Sequence, residues 1–328
     1  MNMGKKPVQK ILITGGAGYI GLHLTAMLEK EGFECIVLDN LSAGMKHPIL
    51  KNKLIEGNVG DKSLLSKIFQ KHHFQLVIHL AALTDVNASI KMPLKYYENN
   101  VYQTLNLLEC VVQYKVKYFM FASSAAVFSH TACKPIDEVY PTHPMTPYGR
   151  SKCFLECTLR DCYTAYGLNS IVFRYFNVAG ADPELDLINK QKKWGQVIPA
   201  LLQSIKANDK SFMIFGDQYE TPDGTCLRDY IHVNDICQAH LNAIEKLNTI
   251  DGCLTYNLGT GTGFSVKQVV QAAREITREP FKTTITHART ADSPCVIANS
   301  SLAQSSLGWK PRLSDLNTLI ETFWKWLI

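Results

Sequence analysis

The sequence predicts an α/β fold: a doubly wound parallel sheet covered by helices on both faces, joined to a smaller mixed α/β domain. Three observations predict it. Short apolar runs alternate with helical stretches from Lys10 to Tyr175, as in a sheet whose strands are buried on both sides. A glycine-rich turn, Gly15-Gly16-Ala17-Gly18-Tyr19-Ile20-Gly21, follows the first run and opens a helix. Beyond Asn177 the alternation weakens, and loops rich in Pro, Asp and Gly appear at Ala181 to Asp186 and Gln218 to Gly224.

Taken in order, the strands are expected at Ile11 to Thr14, Cys35 to Asp39, Lys53 to Glu56, Leu76 to Leu80, Tyr118 to Ala122 and Ile171 to Tyr175. A helix from Tyr19 to Glu31 stops at Gly32, and Pro147 suits the first turn of another that runs to Tyr166, following the rule of proline at helix starts and glycine past their ends. A chain of 328 residues exceeds a typical single core. The expected division is a first domain over residues 1–176, with 227–258 returning to it, and a second over 177–226 and 259–328. The returning strands are expected at Arg228 to Val233 and Thr255 to Leu258.

Composition excludes several classes of function. Hydrophobic residues make up 46% and charged residues 19%, ordinary values for a folding chain. A net charge of +5 without a Lys/Arg run offers no stripe for a nucleic acid. Apolar stretches such as Leu76 to Leu83 fall short of a membrane span. Met1 to Lys10 is basic but lacks the apolar core of a secretory signal, so a cytoplasmic protein is expected. Ten cysteines at irregular spacing then read as reduced thiols. Cys153 and Cys157, four apart on one helix face, lack further ligands and read as packing, and no metal site is expected.

The turn after the first strand calls for glycine at Gly15, Gly18 and Gly21 because the backbone must bend tightly, approach a pyrophosphate and let the helix pack on its strand. The N–H groups of Tyr19 and Ile20 open the helix whose dipole favours that anion. Asp39 ends the next strand eighteen residues beyond Gly21. A carboxylate there accepts from adenosine ribose hydroxyls and repels an additional phosphate, which favours NAD over NADP. The plainer role for Asp39 is a turn cap with Asn40. These features describe a Rossmann-like dinucleotide site.

Ser123-Ser124 follows the fifth strand, and Tyr148-Gly149-Arg150-Ser151-Lys152 opens the long helix. Tyr148 and Lys152 share a helix face. A phenol beside an ammonium and a positive nicotinamide is a base able to take a hydroxyl proton while hydride leaves the same carbon. Ser124 would hydrogen-bond that oxygen as it becomes a carbonyl. The plainer alternative is an exposed Tyr and a solvated Lys on a first helical turn.

Together these segments resemble the extended short-chain dehydrogenase/reductase family, in its branch of NAD-dependent nucleotide-sugar epimerases. The resemblance continues through Leu38-Asp39-Asn40-Leu41, Tyr96 to Val101, Arg174-Tyr175-Phe176-Asn177, Ile214-Phe215-Gly216, Asp223-Gly224-Thr225, Arg228 to Val233 and Tyr256-Asn257-Leu258-Gly259. It implies catalysis by Ser124, Tyr148 and Lys152. NAD would meet Gly15, Gly18, Tyr19, Ile20, Gly21, Asp39, Asn40, Asn58, Val59, Leu80, Ala81, Ala82, Asn99 and Tyr175 as well as Tyr148 and Lys152. A UDP-sugar would meet Ser124, Asn177, Gln196, Val197, Phe215, Arg228, Arg289, Asp292 and Val296. The implied reaction inverts C4 of a UDP-hexose through a 4-keto sugar, interconverting UDP-glucose and UDP-galactose, in a homodimer.

Some positions depart from the family pattern. Thr84 stands where a lysine often helps to bind NAD, and Asn58 where an aspartate meets adenine, so looser NAD retention is expected. Gln196 replaces Asn or His ahead of Val197. Val296 occupies a position that varies between tyrosine and smaller residues, and its size implies room for N-acetylhexosamines. A 4,6-dehydratase or a decarboxylase would carry acidic residues where Ala125-Ala126 stand. A non-catalytic NAD sensor would have no use for Ser124, Tyr148 and Lys152 together.

Overall fold

Backbone order follows from the apolar runs and the turn residues between them. The computed structural model describes residues 8–128, 133–185, 195–207, 210–289 and 292–328. The basic residues 1–7 and the loop end at Asp186 lie outside the described residues. Strand β1 (Lys10–Thr14) leads through the glycine turn into α1 (Tyr19–Lys30), then come β2 (Glu34–Asp39), β3 (Leu54–Glu56), α2 (Lys62–Lys71) and β4 (Leu76–His79). Helices α3 (Val86–Lys91) and α4 (Pro93–Tyr97) run into a π-helical turn, Glu98–Tyr102, and α5 (Gln103–Gln113). Next are β5 (Tyr118–Ser124), α6 (Pro147–Tyr166) and β6 (Asn169–Tyr175).

The remainder holds β7 (Asn177–Ala179), α7 (Val197–Lys206), β8 (Ser211–Phe215), β9 (Leu227–His232), α8 (Val233–Lys246) and β10 (Cys253–Leu258). After these come β11 (Gly263–Ser265), α9 (Val266–Thr277), β12 (Lys282–Thr286), β13 (Cys295–Val296), α10 (Ser301–Leu307) and α11 (Leu316–Leu327). The described residues divide into two units. One holds those up to Val127, Thr146–Arg174 and Ala239–Tyr256; the other holds those of Phe128–Met145, Tyr175–Gln238 and Asn257–Ile328.

The first unit is built on a seven-stranded sheet in the order β10-β6-β5-β4-β1-β2-β3, in which β3, β2, β1, β4 and β5 pair in parallel. Strand order reverses between β1 and β4, the switch point where open α/β sheets bind ligands. Every residue of β4 is buried, as are all but the last of β5, because helices cover both faces. Leu12, Leu38, Val77, Phe119, Leu155 and Val172 share one apolar core. Helix α6 starts where Thr146 Oγ1 accepts from the Gly149 N–H at 3.2 Å, with Pro147 in its first turn, and ends at Gly167, whose φ is +68°. Pro147 in the first turn and the end at Tyr166 are as read from the sequence, and the caps Thr146 and Gly167 complete them.

In the second unit β9 is central: β11 pairs with it antiparallel, while β13 and β7 pair with it in parallel. Strands β8 and β12 form a separate parallel pair. The segment Arg228 to Val233 therefore does not rejoin the first sheet, contrary to expectation, and Val233 already belongs to α8; Thr255 to Leu258 does rejoin it, as part of β10. An apolar run marks a strand without marking its neighbours. What ties β9 to the second unit is Asp229, whose carboxylate accepts from the N–H groups of Thr260, Gly261 and Ala298. Among the described residues no helix is long and apolar enough to cross a membrane.

Candidate functional site

At the glycine turn, sterics separate the glycines that the fold needs from the one it leaves open. Gly15 has φ +73°, and a Cβ there would lie 2.5 Å from the Ala81 nitrogen. At Gly21 a Cβ would lie 2.4 Å from the Gly15 carbonyl oxygen. Both positions forbid any side chain. At Gly18 the only near atom is the Gly15 oxygen, at 3.3 Å, so packing barely demands glycine there, whereas a closely approaching ligand would. Gly18 is also the N-cap of α1, with no side-chain cap and no acidic residue in the first turn. The N-terminus of α1 thus carries neither a capping side chain nor an acidic one, which fits a dinucleotide pyrophosphate.

Asp39 closes this turn. Its Oδ2 accepts from the Ala17 N–H at 3.0 Å and its Oδ1 from the Leu41 N–H at 2.8 Å. Burial pushes its carboxyl upward, and the two backbone donors oppose that. The turn-cap role is therefore real, and it coexists with binding capacity, since a carboxylate has about four lone-pair sites. Asn40 is exposed and accepts from the Ser42 N–H. After β3, Asn58 accepts from the Gly60 N–H at 2.9 Å beside buried Val59. Leu80, Ala81 and Ala82 leave the end of β4 half-buried, and Thr84 is exposed.

Four residues that the sequence reading did not single out hold this end of the sheet. Asn100, in the π-helical turn, accepts from the Leu83 N–H at 2.8 Å, donates to the Leu83 carbonyl at 3.0 Å and bonds Asn99. It also donates to Ser151 Oγ at 3.3 Å, and π-helical turns recur at functional sites. His79 is fully buried between Thr14 Oγ1, 2.6 Å from Nδ1, and Thr104 Oγ1, 2.9 Å from Nε2. Because Thr104 donates its own proton to the Asn100 carbonyl, it must accept from Nε2–H, and Nδ1 then accepts from Thr14. Burial first, and Lys152 second, push the His79 imidazolium down to about 3, so it stays neutral. Glu156 is the fourth, buried at 1% exposure on α6. A helical spacing of four beyond Lys152 was its only signal in the sequence.

Ser124, Tyr148 and Lys152 are brought together as expected. Ser124 lies close enough to the Tyr148 phenol to pull its proton affinity down, and its Oγ accepts from the Ala126 N–H at 3.2 Å. Lys152 donates to the Ala122 carbonyl at 2.7 Å and sits 4.8 Å from the Phe121 ring centre and 5.9 Å from that of Tyr148. The exposed-Tyr, solvated-Lys alternative is excluded, since both are buried. One expectation changes. Burial raises the Tyr148 phenol, with Ser124 pulling it down, and burial lowers the Lys152 ammonium from 10.5 to about 7. In the protein alone, desolvation outweighs the mutual help of the pair.

In the second unit, Arg289 lays its guanidinium 3.6 Å from the Phe215 ring centre, so one face of the expected aromatic platform already carries a cation. Arg228 lies 3.7 Å from Asp292, and Val296, half-buried, is its strand partner. Asn177 is paired with Tyr230 on β9. Tyr175, at the end of β6, is buried. Gln196 and Val197 stand at the N-terminus of α7, where Gln196 makes no side-chain cap. An unpartnered phenol is buried beside that group: Tyr230 Oη has no hydrogen bond.

The buried lysine has a stability consequence. Its folded value lies below its ordinary one, so between about pH 7 and pH 10.5 the unfolded chain binds the additional proton and this group makes stability rise with pH. Lys152→Met should remove that rise, as measured by thermal unfolding of NAD-free protein at pH 7 and pH 10; an unchanged pH slope would refute the burial of the charge.

Residues 11–259 match the NAD dependent epimerase/dehydratase family. A UDP-glucose 4-epimerase of Halalkalibacterium halodurans is 42% identical over 316 residues, 96% of this chain and 95% of the relative. Among solved structures, a UDP-glucose 4-epimerase from Brucella ovis in complex with NAD superposes with a TM-score of 0.92 at 37% identity, over 97% of this chain and 98% of that one. One from Bifidobacterium longum in complex with NAD+ and UDP gives 0.91 at 33% identity, with the same coverage. Glycine turn, the group of half-buried Ser124 with buried Tyr148 and Lys152, and whole-chain similarity agree, and the chain belongs to the NAD dependent epimerase/dehydratase family.

Proposed function

We propose that this chain is an NAD-dependent UDP-hexose 4-epimerase that interconverts UDP-glucose and UDP-galactose. The observation that carries the reading is Tyr148 buried beside Ser124, with Lys152 buried one helical turn along and its amine 5.9 Å from the Tyr148 ring centre. That group is linked to the end of β1 through Phe121, His79 and Thr14, since His79 stacks on Phe121 with ring centres 6.0 Å apart. The names of the similar proteins support the same activity.

NAD would be held by the turn of Gly15, Gly18 and Gly21 with Asp39 at its ribose, and would supply the reversible acceptance of hydride that oxidation and re-reduction at C4 of the sugar need. The rest is done by this chain. Tyr148 moves the proton of the C4 hydroxyl, Ser124 holds the same oxygen, and Lys152 supplies positive charge that favours the phenolate. Arg228 and Arg289 bind the diphosphate, for which paired guanidiniums are suited, with Asp292 orienting Arg228. Asn177, Gln196, Val197 and Phe215 complete the nucleotide contacts, and Asn99 and Tyr175 those of the cofactor. Firm nucleotide contacts with few to the sugar leave the hexose free to turn over. Ala125 and Ala126 supply no acid next to Ser124, which disfavours elimination of water.

Purified protein given UDP-glucose and no other cofactor is expected to produce UDP-galactose. Tyr148→Phe should cut turnover about 10²–10⁴-fold while NAD binding, read by fluorescence, survives; undiminished turnover would refute the role of Tyr148.

Val296 supports a broader sugar range, because a small, half-buried side chain sits at the strand position paired with Arg228. UDP-N-acetylglucosamine should also be epimerised, and Val296→Tyr should lower its kcat/KM relative to that of UDP-glucose about tenfold or more. A wild type inactive on the N-acetylated sugar would end this reading.

The proposed setting is the cytoplasm, supported by cysteines that stand as thiols. The proposed assembly is a homodimer, supported by apolar residues left exposed on packed helices α4 and α6, with Leu94 81% and Phe154 52% exposed. Light scattering should give twice the chain mass, and Leu94→Lys with Phe154→Lys should halve it; a monomeric wild type would contradict the assembly.

A further inference from the structure

We propose that Glu156 is a positioning residue of the reaction: its buried carboxylate, one helical turn beyond Lys152 and gripped by Ser123 and Arg174, keeps Lys152 charged beside Tyr148. The inference rests on the reading of Lys152 as the partner of Tyr148 given above.

Tyr148, Lys152 and Glu156 recur every four residues along α6 and so share one face. At the far end of that row, Ser123 Oγ donates to Glu156 Oε1 at 2.5 Å. Arg174 donates from Nε to Oε1 at 3.0 Å and from a terminal nitrogen to Oε2 at 2.7 Å, a two-pronged grip. All three charged groups are almost completely inside: Lys152 and Arg174 are each 3% exposed and Glu156 1%. A buried carboxylate matched by one guanidinium would be self-contained. Here a second cation lies on the same helix face, and the three form a row in which Glu156 is the only anion.

Surrounding charges leave that task to Glu156. His79 on β4 is neutral, and β5 contributes neither a carboxylate nor an amine. Tyr96 donates to the Asp85 carbonyl at 2.6 Å, and it is the Tyr96 phenol that Asp85 and Tyr148 push upward, after burial. Lys91, Lys95 and Glu98 on the neighbouring helical turns are exposed and screened by solvent. Burial lowers the Lys152 ammonium, and the charge that opposes burial is that of Glu156. Ser123 also precedes Ser124, so the same carboxylate fixes the end of β5 on which the reaction's hydroxyl stands.

The test is the pH dependence of kcat in the intact protein for Glu156→Gln and for the double variant Glu156→Gln with Arg174→Gln. The double variant avoids leaving a guanidinium buried without its partner, which is strongly destabilising. Activity should fall with rising pH as Lys152 loses its proton. In either variant that folds, this descending arm should move about one unit to lower pH, a tenfold change in the proton affinity of the amine. A direct reading comes from the 13Cε resonance of Lys152, whose titration should move in the same sense. A uniform loss of kcat with the arm and the resonance unmoved would show that Glu156 only supports the fold, and would overturn the proposal. A wild type that fails to turn over UDP-glucose would instead refute the epimerase reading, while the Lys152 resonance still decides this one.

Discussion

The first unit depends on the close approach of two backbones at the point where strand order reverses. Gly15 bends with positive φ directly against Ala81, whose backbone leaves no room for a Cβ at Gly15. That contact brings the end of β1 and the end of β4 to one place and frees the N-terminus of α1 to face outward from the turn. Asp39 locks the arrangement from β2 by accepting from Ala17. A side chain at Gly15 would push these elements apart, and every residue placed by them would move.

Around this point the protein buries charge and polarity in a graded way. His79, held neutral between two threonine hydroxyls, spaces β4 from α5 without adding charge. Lys152 is held inside at a cost that shows in its lowered proton affinity, and Glu156 with Arg174 sits on the same helix face. Such a row has little value as a stabiliser, because desolvation offsets the attraction between its members. In the proposed reaction its value is to set the protonation state of a phenol and an amine. The second unit follows a different pattern: Arg228, Asp292, Arg289 and Phe215 are only partly covered.

Much was legible in the sequence because it rests on local physics. The apolar runs determined the strands to within a residue or two, since buried parallel strands tolerate little else. Pro147 marked the start of α6, and Gly15 to Gly21 with Asp39 marked the glycine turn and its closing carboxylate. The helical spacing of four determined that Tyr148 and Lys152 share a face.

Tertiary structure decided the rest. Whether β9 joins the large sheet or the small one depends on Asp229 finding the N–H groups of Thr260, Gly261 and Ala298, partners far along the chain. His79 interrupts an apolar run and reads as a blemish until Thr14 and Thr104 are seen on either side of it. The direction in which the Tyr148 and Lys152 proton affinities move was decided by burial, which composition and spacing do not register, because desolvation is set by everything that packs around a group rather than by its neighbours in sequence.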